Sequence, residues 1–270
     1  MKYKVGEVAH LLGLTTAAIH YYEKEGVIQT KKEANGHRYY EIEDLIKLIQ
    51  CKETRNREIP LKEITGALQN TAYNSRMFIG NHIRNKRMLE EKIDLYQHLV
   101  SDLDQYIGQL CKMDSMVGEY EIISCDPTWI NVDPEGNLIS KNSLNNEVLK
   151  QWVNHLPFTK LAVVFDFAHQ EKGQPKVALG LSASEEEAKR LRLPQGNNVI
   201  VIERVLCLHT VIVSNSFFED KNYGLEPVFS YLETRGLETA GNAHGVILFH
   251  DNDNQVTKTY IELWIPIKEK

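Results

Sequence analysis

The stretch AIHYYEKEGVI, residues 18–28, is followed after a short interval by HRYY, residues 37–40. Each stretch contains a Tyr-Tyr pair next to a basic or potentially basic side chain. Such aromatic residues either pack a small core or form a surface that grips a flat, negatively charged partner. The surrounding residues decide between these alternatives, because they determine which side chains face outward.

A helix-turn-helix includes the first Tyr-Tyr pair. A short amphipathic helix over residues 6–12 stops at Gly13, and Thr15 is a good N-cap for a second helix over residues 16–24. Two short helices joined by a tight turn that contains glycine form this motif.

The second helix is expected to have two different faces. Ile19 and Tyr22 lie three residues apart and share a face that we assign to the core. The outward face carries short or hydrogen-bonding side chains that can approach a groove closely, namely Thr16, Ala17, His20 and Tyr21.

The second Tyr-Tyr pair ends a predicted hairpin. Asn35-Gly36 is a strong hairpin signal with extended residues on both sides, so residues 27–40 are expected to form a wing. Apolar residues from Ile42 onward indicate a third helix, and Pro60 is well placed to open a fourth.

A long helix without proline follows, from about Ser75 to Cys111. Its apolar residues alternate in steps of four and three, which is a heptad seam. The seam consists of Leu89, Ile93, Tyr96, Val100, Leu103, Ile107 and Leu110. A single helix cannot bury such a seam alone, which favours a dimerising coiled coil; the alternative is packing on the C-terminal domain of the same chain.

Beyond Gly118 the pattern changes to strands with interspersed helices. Helices are predicted over residues 142–156 and 223–235, a short acidic helix is expected after Ser184, and the last two strands form a hairpin around residues 251–254. The order is strand, helix, two strands, and then a similar set again. This indicates a duplicated α+β unit with antiparallel pairing.

Charge is distributed unevenly along the chain. The net charge is −6 over 270 residues, but residues 1–70 carry +1 and residues 119–270 carry −7. The two ends are therefore expected to have different partners.

The four cysteines are scattered, and we identify neither a signal peptide nor a membrane span, so we expect a cytoplasmic protein.

These motifs resemble the MerR family of bacterial transcription regulators over roughly residues 2–112. The residues that carry the resemblance are HYYEKEGVI, the wing ending in HRYY, EIEDLIKLI at the third helix and the long helix. The final segment YIELWIPIKEK, with the duplicated α+β order, resembles a GyrI-like effector-binding domain. The resemblance implies an α+β multidomain protein: a winged helix-turn-helix over 1–72, a dimerising coiled-coil helix over 75–112 and a GyrI-like domain over 119–270.

The resemblance also implies roles for the N-terminal residues. Tyr21 and Arg38 reach phosphates and Tyr39 supports the wing, while Tyr22 and Tyr40 pack the core. Arg offers a fork of donors and Tyr a single hydroxyl donor to phosphate oxygens. We add Lys52 and Arg55 as possible contacts to the flanking backbone. Most relatives have Arg where this chain has His20, which is mostly uncharged at neutral pH and puts the operator sequence in doubt.

A candidate effector site lies on the last strand. By alternation Ile261, Leu263, Ile265 and Ile267 face the core, whereas Tyr260, Glu262 and Trp264 face the other way. A carboxylate between two aromatic rings suits an organic cation, because ring faces attract positive charge. The other candidate pocket aromatics are Tyr120, Phe165, Phe167, Phe217 and Tyr223.

Together these features predict a homodimeric regulator of the multidrug-sensing branch, without a cofactor. Its partners are double-stranded promoter DNA, RNA polymerase and a hydrophobic, cationic small molecule, and it activates by distorting the promoter spacer. Three alternatives remain open. They are a small-molecule hydrolase using Glu262 with Tyr260 or Tyr120, a metal-responsive regulator using Cys111 and Cys125, and a module whose C-terminal cleft binds protein.

Overall fold

The structure is a computed structural model. It describes residues 1–33, 36–69, 75–132, 147–171, 174–215, 217, 223–253 and 256–270. These residues fall into two compact units, residues 1–97 and residues 98–270.

The first unit follows the predicted order of helices and wing strands. Its elements are α1 (Val5–Leu12), α2 (Thr16–Lys24), β1 (Lys31–Lys32), β2 (Arg38–Tyr39), α3 (Ile42–Asn56), α4 (Leu61–Gln69) and the first part of α5 (Ser75–Met116). Gly13 takes the left-handed conformation after α1, and the Thr15 Oγ1 accepts a hydrogen bond from the Ala18 N–H at 3.1 Å. β1 and β2 pair antiparallel, which confirms the wing; Asn35 lies outside the described residues.

The core of the first unit is small and includes an aromatic residue. Val8, Ile19, Tyr40 and Leu48 are fully buried, and Tyr22 is partly buried against them. The expected core face of α2 is therefore confirmed.

Tyr40 fixes the start of α3 against the end of α2. Its Oη donates a hydrogen bond of 2.6 Å to the Glu23 carboxylate. Burial by itself raises the pKa of Glu23, but hydrogen bonds from Tyr40, His20 and Thr30 outweigh it, so the pKa lies below its ordinary value. Burial and the bond to Glu23 raise the pKa of Tyr40.

The second unit is built on a large antiparallel sheet. Its strands are β3 (Glu121–Cys125), β4 (Thr128–Val132), β5 (Lys160–Glu171), β6 (Gln174–Ser184), β7 (Val199–Ile202), β8 (Val205–Asn215), β9 (Leu237–Thr239), β10 (Ala243–Asp253) and β11 (Val256–Glu269). Its helices after α5 are α6 (Glu147–Val153), α7 (Glu185–Arg190) and α8 (Glu226–Thr234).

The strand order confirms a duplicated antiparallel unit, but the first copy opens with β4 and not with β3, the first strand after Gly118. The sheet runs β3-β8-β11-β10-β5-β6-β4-β7, with β9 beside β11. In the first copy β4, α6, β5 and β6 follow one another along the chain. The second copy consists of β8, α8, β10 and β11, with the short β9 between α8 and β10. Each copy gives a three-stranded set with its last strand in the middle, and the two sets join through the antiparallel pair β5–β10.

One face of the sheet carries the core of the second unit. The predicted apolar row of β11, Ile261, Leu263, Ile265 and Ile267, is buried there against α8, which confirms the alternation. Trp152 of α6 is fully buried in the corresponding cluster of the first copy. The other face of β11 therefore carries Tyr260, Glu262 and Trp264.

The long helix α5 extends to Met116, five residues beyond the predicted end. Five of its seam residues are between 54% and 60% exposed, namely Ile93, Tyr96, Val100, Leu103 and Ile107. Leu89 and Leu110 are half-buried. The seam is thus not covered by the described residues of its own chain.

Several predicted boundaries differ from the structure. β4 and β9 were not predicted, and the last hairpin is longer than expected. The predicted helix over residues 142–156 is α6, which the structure gives as Glu147–Val153, and residues 142–146 lie outside the described residues. Asp251 and Asp253 of the predicted turn lie in β10, and Asn254 lies outside the described residues.

None of the helices in the described parts of the chain is long and apolar enough to cross a bilayer.

Tyr40→Phe is expected to lower the free energy of unfolding by about 1–3 kcal/mol at pH 7, because it removes a donor from a largely buried carboxylate. The lowered pKa of Glu23 stabilises the fold above the pKa of the unfolded chain, and this contribution is lost as pH falls through the folded value. Urea unfolding should therefore show a smaller difference at low pH. Tyr21→Phe, at an exposed position, is the control; an equal effect at both pH values would contradict this account.

Candidate functional site

The outward face of α2 is a solvent-exposed surface. Thr16, Ala17, His20 and Tyr21 are exposed, and the Tyr21 ring is about half accessible. The His20 Nδ1 lies 3.0 Å from the Glu23 carboxylate at the base of this surface. The structure thus brings all four predicted residues of α2 to one accessible surface.

The wing places Arg38 and Tyr39 differently. Arg38 is exposed on β2, and its guanidinium is accessible to a partner. Tyr39 is half-buried, and the Lys2 Nζ lies 4.3 Å from its ring centroid. The Tyr39 ring is thus covered by Lys2, while Arg38 remains outward.

The two predicted cations of α3 have different surroundings. The Lys52 Nζ donates a hydrogen bond of 2.7 Å to the Leu12 carbonyl at the end of α1. Lys52 therefore satisfies a carbonyl of the helix-turn-helix itself. Arg55 is exposed on the next turn of α3.

In the second unit, Glu262 is buried and has two partners. One oxygen lies 2.9 Å from the His209 Nε2 of β8, and the other accepts a hydrogen bond of 2.8 Å from the Gln109 amide of α5. A buried carboxylate needs such partners, because desolvation of an unpaired charge is costly. The last turns of α5 thus supply one of the groups that hold Glu262.

Trp264 lies between two imidazole rings. Its neighbours across the sheet are His209 on β8 and His244 on β10. The ring of His209 is 5.1 Å away and inclined by 19°, and that of His244 is 5.5 Å away and inclined by 16°. Since β8 and β10 flank β11 on opposite sides, both faces of the indole are covered. The expected open ring face for a cation is therefore absent in this arrangement.

A cavity of about 850 Å³ lies next to Glu262. It is bordered by α5 and by the start of β3, and it brings together two predicted residues, Glu262 and Tyr120. Tyr120 is stacked on Tyr231 of α8 with ring centroids 4.3 Å apart, and burial raises the pKa of its hydroxyl. The cavity is large enough for a drug-sized molecule.

A smaller cavity of about 350 Å³ lies on the other side of Trp264 and is lined by His244 and Lys160. Burial lowers the pKa of His244 to about 4, so its ring is neutral at neutral pH, and among the described residues its Nδ1 has no hydrogen-bond partner. The Lys160 Nζ is bound to the Asp102 carboxylate of α5 at 2.5 Å. The end of α5 therefore borders both cavities.

Most of the other predicted aromatic residues do not reach Glu262. Phe165, Phe217 and Tyr223 are buried in the core on the opposite face of the sheet. Both phenylalanine rings make edge-to-face contacts with Tyr223, at 5.7 Å and 5.2 Å between ring centroids. Phe167 packs against the same core and contacts Phe229. Tyr260 lies on the Glu262 face and is paired with Phe249 at 6.4 Å.

Across the described residues, no group of three or more His, Cys, Asp or Glu side chains is arranged to hold a metal ion. Cys111 is exposed on α5, and Cys125 is buried at the end of β3.

Three residues of this region, His209, His244 and Gln109, were not predicted from the sequence. His209 is a polar residue in the apolar run VLCLHTVIV of β8, and this interruption was a usable signal. Its contact with Glu262 depends on the register of β8 against β11, which the sequence alone does not reveal.

Comparison with known proteins assigns the N-terminal part of the chain. Residues 3–71 match the profile of the MerR HTH family regulatory proteins. The chain is 30% identical over 127 residues to the HTH-type transcriptional regulator SkgA of Caulobacter vibrioides, covering 46% of this chain and 48% of SkgA. It is 28% identical over 160 residues to the HTH-type transcriptional activator TipA of Streptomyces coelicolor, covering 57% and 56% respectively.

The chain spans about half the length of these curated relatives. Among solved structures, the EcmrR–DNA complex matches 99% of this chain and 100% of its own at 15% identity and a TM-score of 0.38.

Three observations on the same residues point to the same kind of domain: the exposed face of α2, the wing and the match to the family profile. Residues 3–71 therefore form a MerR-type helix-turn-helix domain.

Proposed function

We propose that the protein is a homodimeric transcription regulator that binds double-stranded promoter DNA and responds to a hydrophobic, cationic small molecule. The observation that carries this proposal is the MerR-type helix-turn-helix over residues 3–71, whose α2 leaves its polar face exposed. TipA and SkgA are regulators by name, which supports the same function here.

DNA binding follows from the two exposed surfaces of the first unit. α2 enters the major groove with Thr16, Ala17 and His20, whose short or hydrogen-bonding side chains allow close approach to base edges. Arg38 on the wing and Tyr21 bind phosphate oxygens and set the register of the protein on the duplex. Arg55 contacts the flanking backbone, while Lys52 positions α1.

Dimerisation follows from the exposed seam of α5. Ile93, Tyr96, Val100, Leu103 and Ile107 are apolar, exposed and spaced as a and d positions of a heptad repeat. The second copy of the chain supplies the complementary seam in an antiparallel coiled coil. Two DNA-binding units held in this way suit a twofold-related operator.

The effector site is the cavity at Glu262. It has the volume for a drug-sized molecule, an aromatic wall from Tyr120 and a buried carboxylate that can neutralise a cation. Sites of mixed apolar and acidic character favour lipophilic cations. The net charge of −7 over residues 119–270 adds a weak long-range attraction for them.

The proposed response is a change in DNA shape. A ligand shifts an equilibrium only by its differential affinity for two states, so the effector must favour one geometry of the dimer. That geometry stabilises a bent and untwisted promoter spacer, which aligns the two promoter elements for RNA polymerase. Such deformation costs on the order of 1–6 kcal/mol and is offset by protein–DNA contacts.

We infer a sensor in the cytoplasm rather than an enzyme. The Glu262–His209 pair beside the cavity favours hydrolysis as a second function, because a carboxylate-bound imidazole can activate water. Incubation of the full chain with a candidate effector separates the two. Unchanged effector supports the sensor, whereas product above background supports the hydrolase.

The test of the regulator proposal is a footprint on the DNA upstream of the protein's own gene, with and without a quaternary ammonium dye. We expect protection in both samples and more transcription with the dye. The absence of protection on this DNA and on a library of random duplexes would overturn the proposal.

Arg38→Ala should weaken binding to all DNA sequences, because the guanidinium neutralises a phosphate. The slope of log affinity against log salt concentration should fall in magnitude by about 1, measured by fluorescence anisotropy. Arg190→Ala, which removes the same charge from the second unit, is the control. An unchanged slope for Arg38→Ala would contradict the role of the wing.

Glu262→Gln should weaken binding of a quaternary ammonium dye by roughly tenfold to a hundredfold, since it removes a charge pair whose attraction at about 4 Å is on the order of a few kcal/mol at an effective dielectric constant of about 20. Binding of a neutral aromatic compound of similar size should change much less. Glu226→Gln, at an exposed position of α8, is the matched control in calorimetric titrations. Equal losses for the charged and neutral compounds would show that the carboxylate does not act through its charge.

A further inference from the structure

The two faces of the wing carry different positive charges. β1 and β2 pair with Lys31 opposite Tyr39 and with Lys32 opposite Arg38. Neighbouring residues of a strand point to opposite faces, so Lys31 and Tyr39 share one face of the wing. Lys32 and Arg38 share the other face.

On the first face the cations already have carboxylate partners. The Lys31 Nζ is bound to the Glu41 carboxylate. The Lys2 Nζ lies 3.1 Å from the Glu33 carboxylate and 4.3 Å from the centroid of the Tyr39 ring. These cations are therefore neutralised within the chain, and the first face offers little attraction to a further anion.

On the second face two positive charges stand directly opposite each other. Lys32 and Arg38 are both exposed, and among the described residues neither side chain has a hydrogen bond or an ion pair with another group. Directly opposite side chains of an antiparallel pair have Cβ atoms about 4.5–5.5 Å apart, and like charges in this arrangement destabilise the pairing. An anion bound between the two side chains would remove this repulsion.

The second face lies on the side of α2. Tyr40 follows Arg38 by two residues and therefore points to the same side of the chain. The Tyr40 hydroxyl is bound at 2.6 Å to Glu23 of α2, the helix whose exposed face carries the proposed base contacts. Lys32 and Arg38 thus project on the side of the wing from which DNA would be bound.

We infer that Lys32 and Arg38 together bind one backbone phosphate of duplex DNA. This inference rests on the proposed function and adds Lys32 to the groups that hold the duplex. A phosphate has two non-bridging oxygens, so the guanidinium can bind one of them while the compact ammonium group binds the other. We call these two residues the wing clamp.

The contribution of Lys32 is measured by fluorescence anisotropy of the full chain on a labelled duplex of mixed sequence. Lys32→Ala should weaken binding by roughly tenfold at low salt and lower the magnitude of the salt slope by up to about 1. Lys31→Ala is the matched control at the neighbouring position and should retain the wild-type slope, because its charge is bound by Glu41. A wild-type affinity and slope for Lys32→Ala would overturn the wing clamp.

A double-variant cycle tests whether the two cations share one phosphate. Side chains that bind the same group are not independent, so Lys32→Ala and Arg38→Ala combined should cost less affinity than the sum of the single losses on a logarithmic scale. Arg38→Ala combined with Arg55→Ala, on α3, should be additive. Additive losses for Lys32 and Arg38 would mean two separate phosphates and would overturn the shared site.

Neutral methylphosphonate linkages in the DNA upstream of the protein's own gene locate the same contact from the DNA side. The wild-type protein should lose affinity at one linkage in each half-site, and both single variants should be insensitive to that linkage. Sensitivity of the two variants at different linkages would contradict the inference.

Lys32→Glu separates phosphate binding from a structural role in the wing. The substitution replaces a like-charge pair with an opposite-charge pair, so the urea midpoint of the free protein should not fall, while binding to DNA should weaken more than in Lys32→Ala. A lowered midpoint would show that Lys32 supports the wing itself and would overturn the wing clamp. A wild-type protein that binds none of these duplexes would overturn the regulator proposal together with the clamp, whereas wild-type binding that is insensitive to Lys32 would overturn the clamp alone.

Discussion

Helix α5 has two faces that require different contacts. Its side chains at Asp102, Tyr106 and Gln109 are bound to groups of the second unit: Lys160, the Leu248 carbonyl and Glu262. A different face of the same turns carries Val100, Leu103 and Ile107, which are more than half exposed. A straight helix cannot turn both faces to one sheet, so the polar face is used within the chain and the apolar face requires another partner.

This division of faces links the proposed effector site to the dimer. Gln109 holds Glu262 from one side, and Ile107, two residues earlier, belongs to the exposed seam. A ligand that competes for Glu262 changes what Gln109 binds. The contacts that hold the seam residues on the same helix turn would then change as well. In the proposed response, the element that would change between two states is the end of α5 with its polar contacts.

Local signals made the first unit predictable. Gly13 and Thr15 fix the turn through backbone conformation and capping, which depend on neighbouring residues only, and α2 has the predicted ends. The alternation in YIELWIPIKEK likewise predicted which residues of β11 enter the core. The same alternation rule, applied to β5, places Phe165 and Phe167 together with the core rather than with Glu262.

Features that depend on long-range register were not predictable. The stack of His209, Trp264 and His244 requires three strands that are distant in sequence to align at one level. Because a shift of one residue would reverse the faces, no property of a single strand reveals the stack. The contact between Gln109 and Glu262 spans 153 positions and depends on which face of α5 meets the sheet.

The central claim is that the exposed seam of α5 pairs two copies of the chain. Sedimentation equilibrium of the full chain across the micromolar range measures this directly. The account predicts a dimer that becomes a folded monomer when Leu103 and Ile107 are replaced by Glu, while Gln97→Glu, at an exposed position beside the seam, remains dimeric. A wild-type monomer throughout that range, with unchanged helix content, would contradict it.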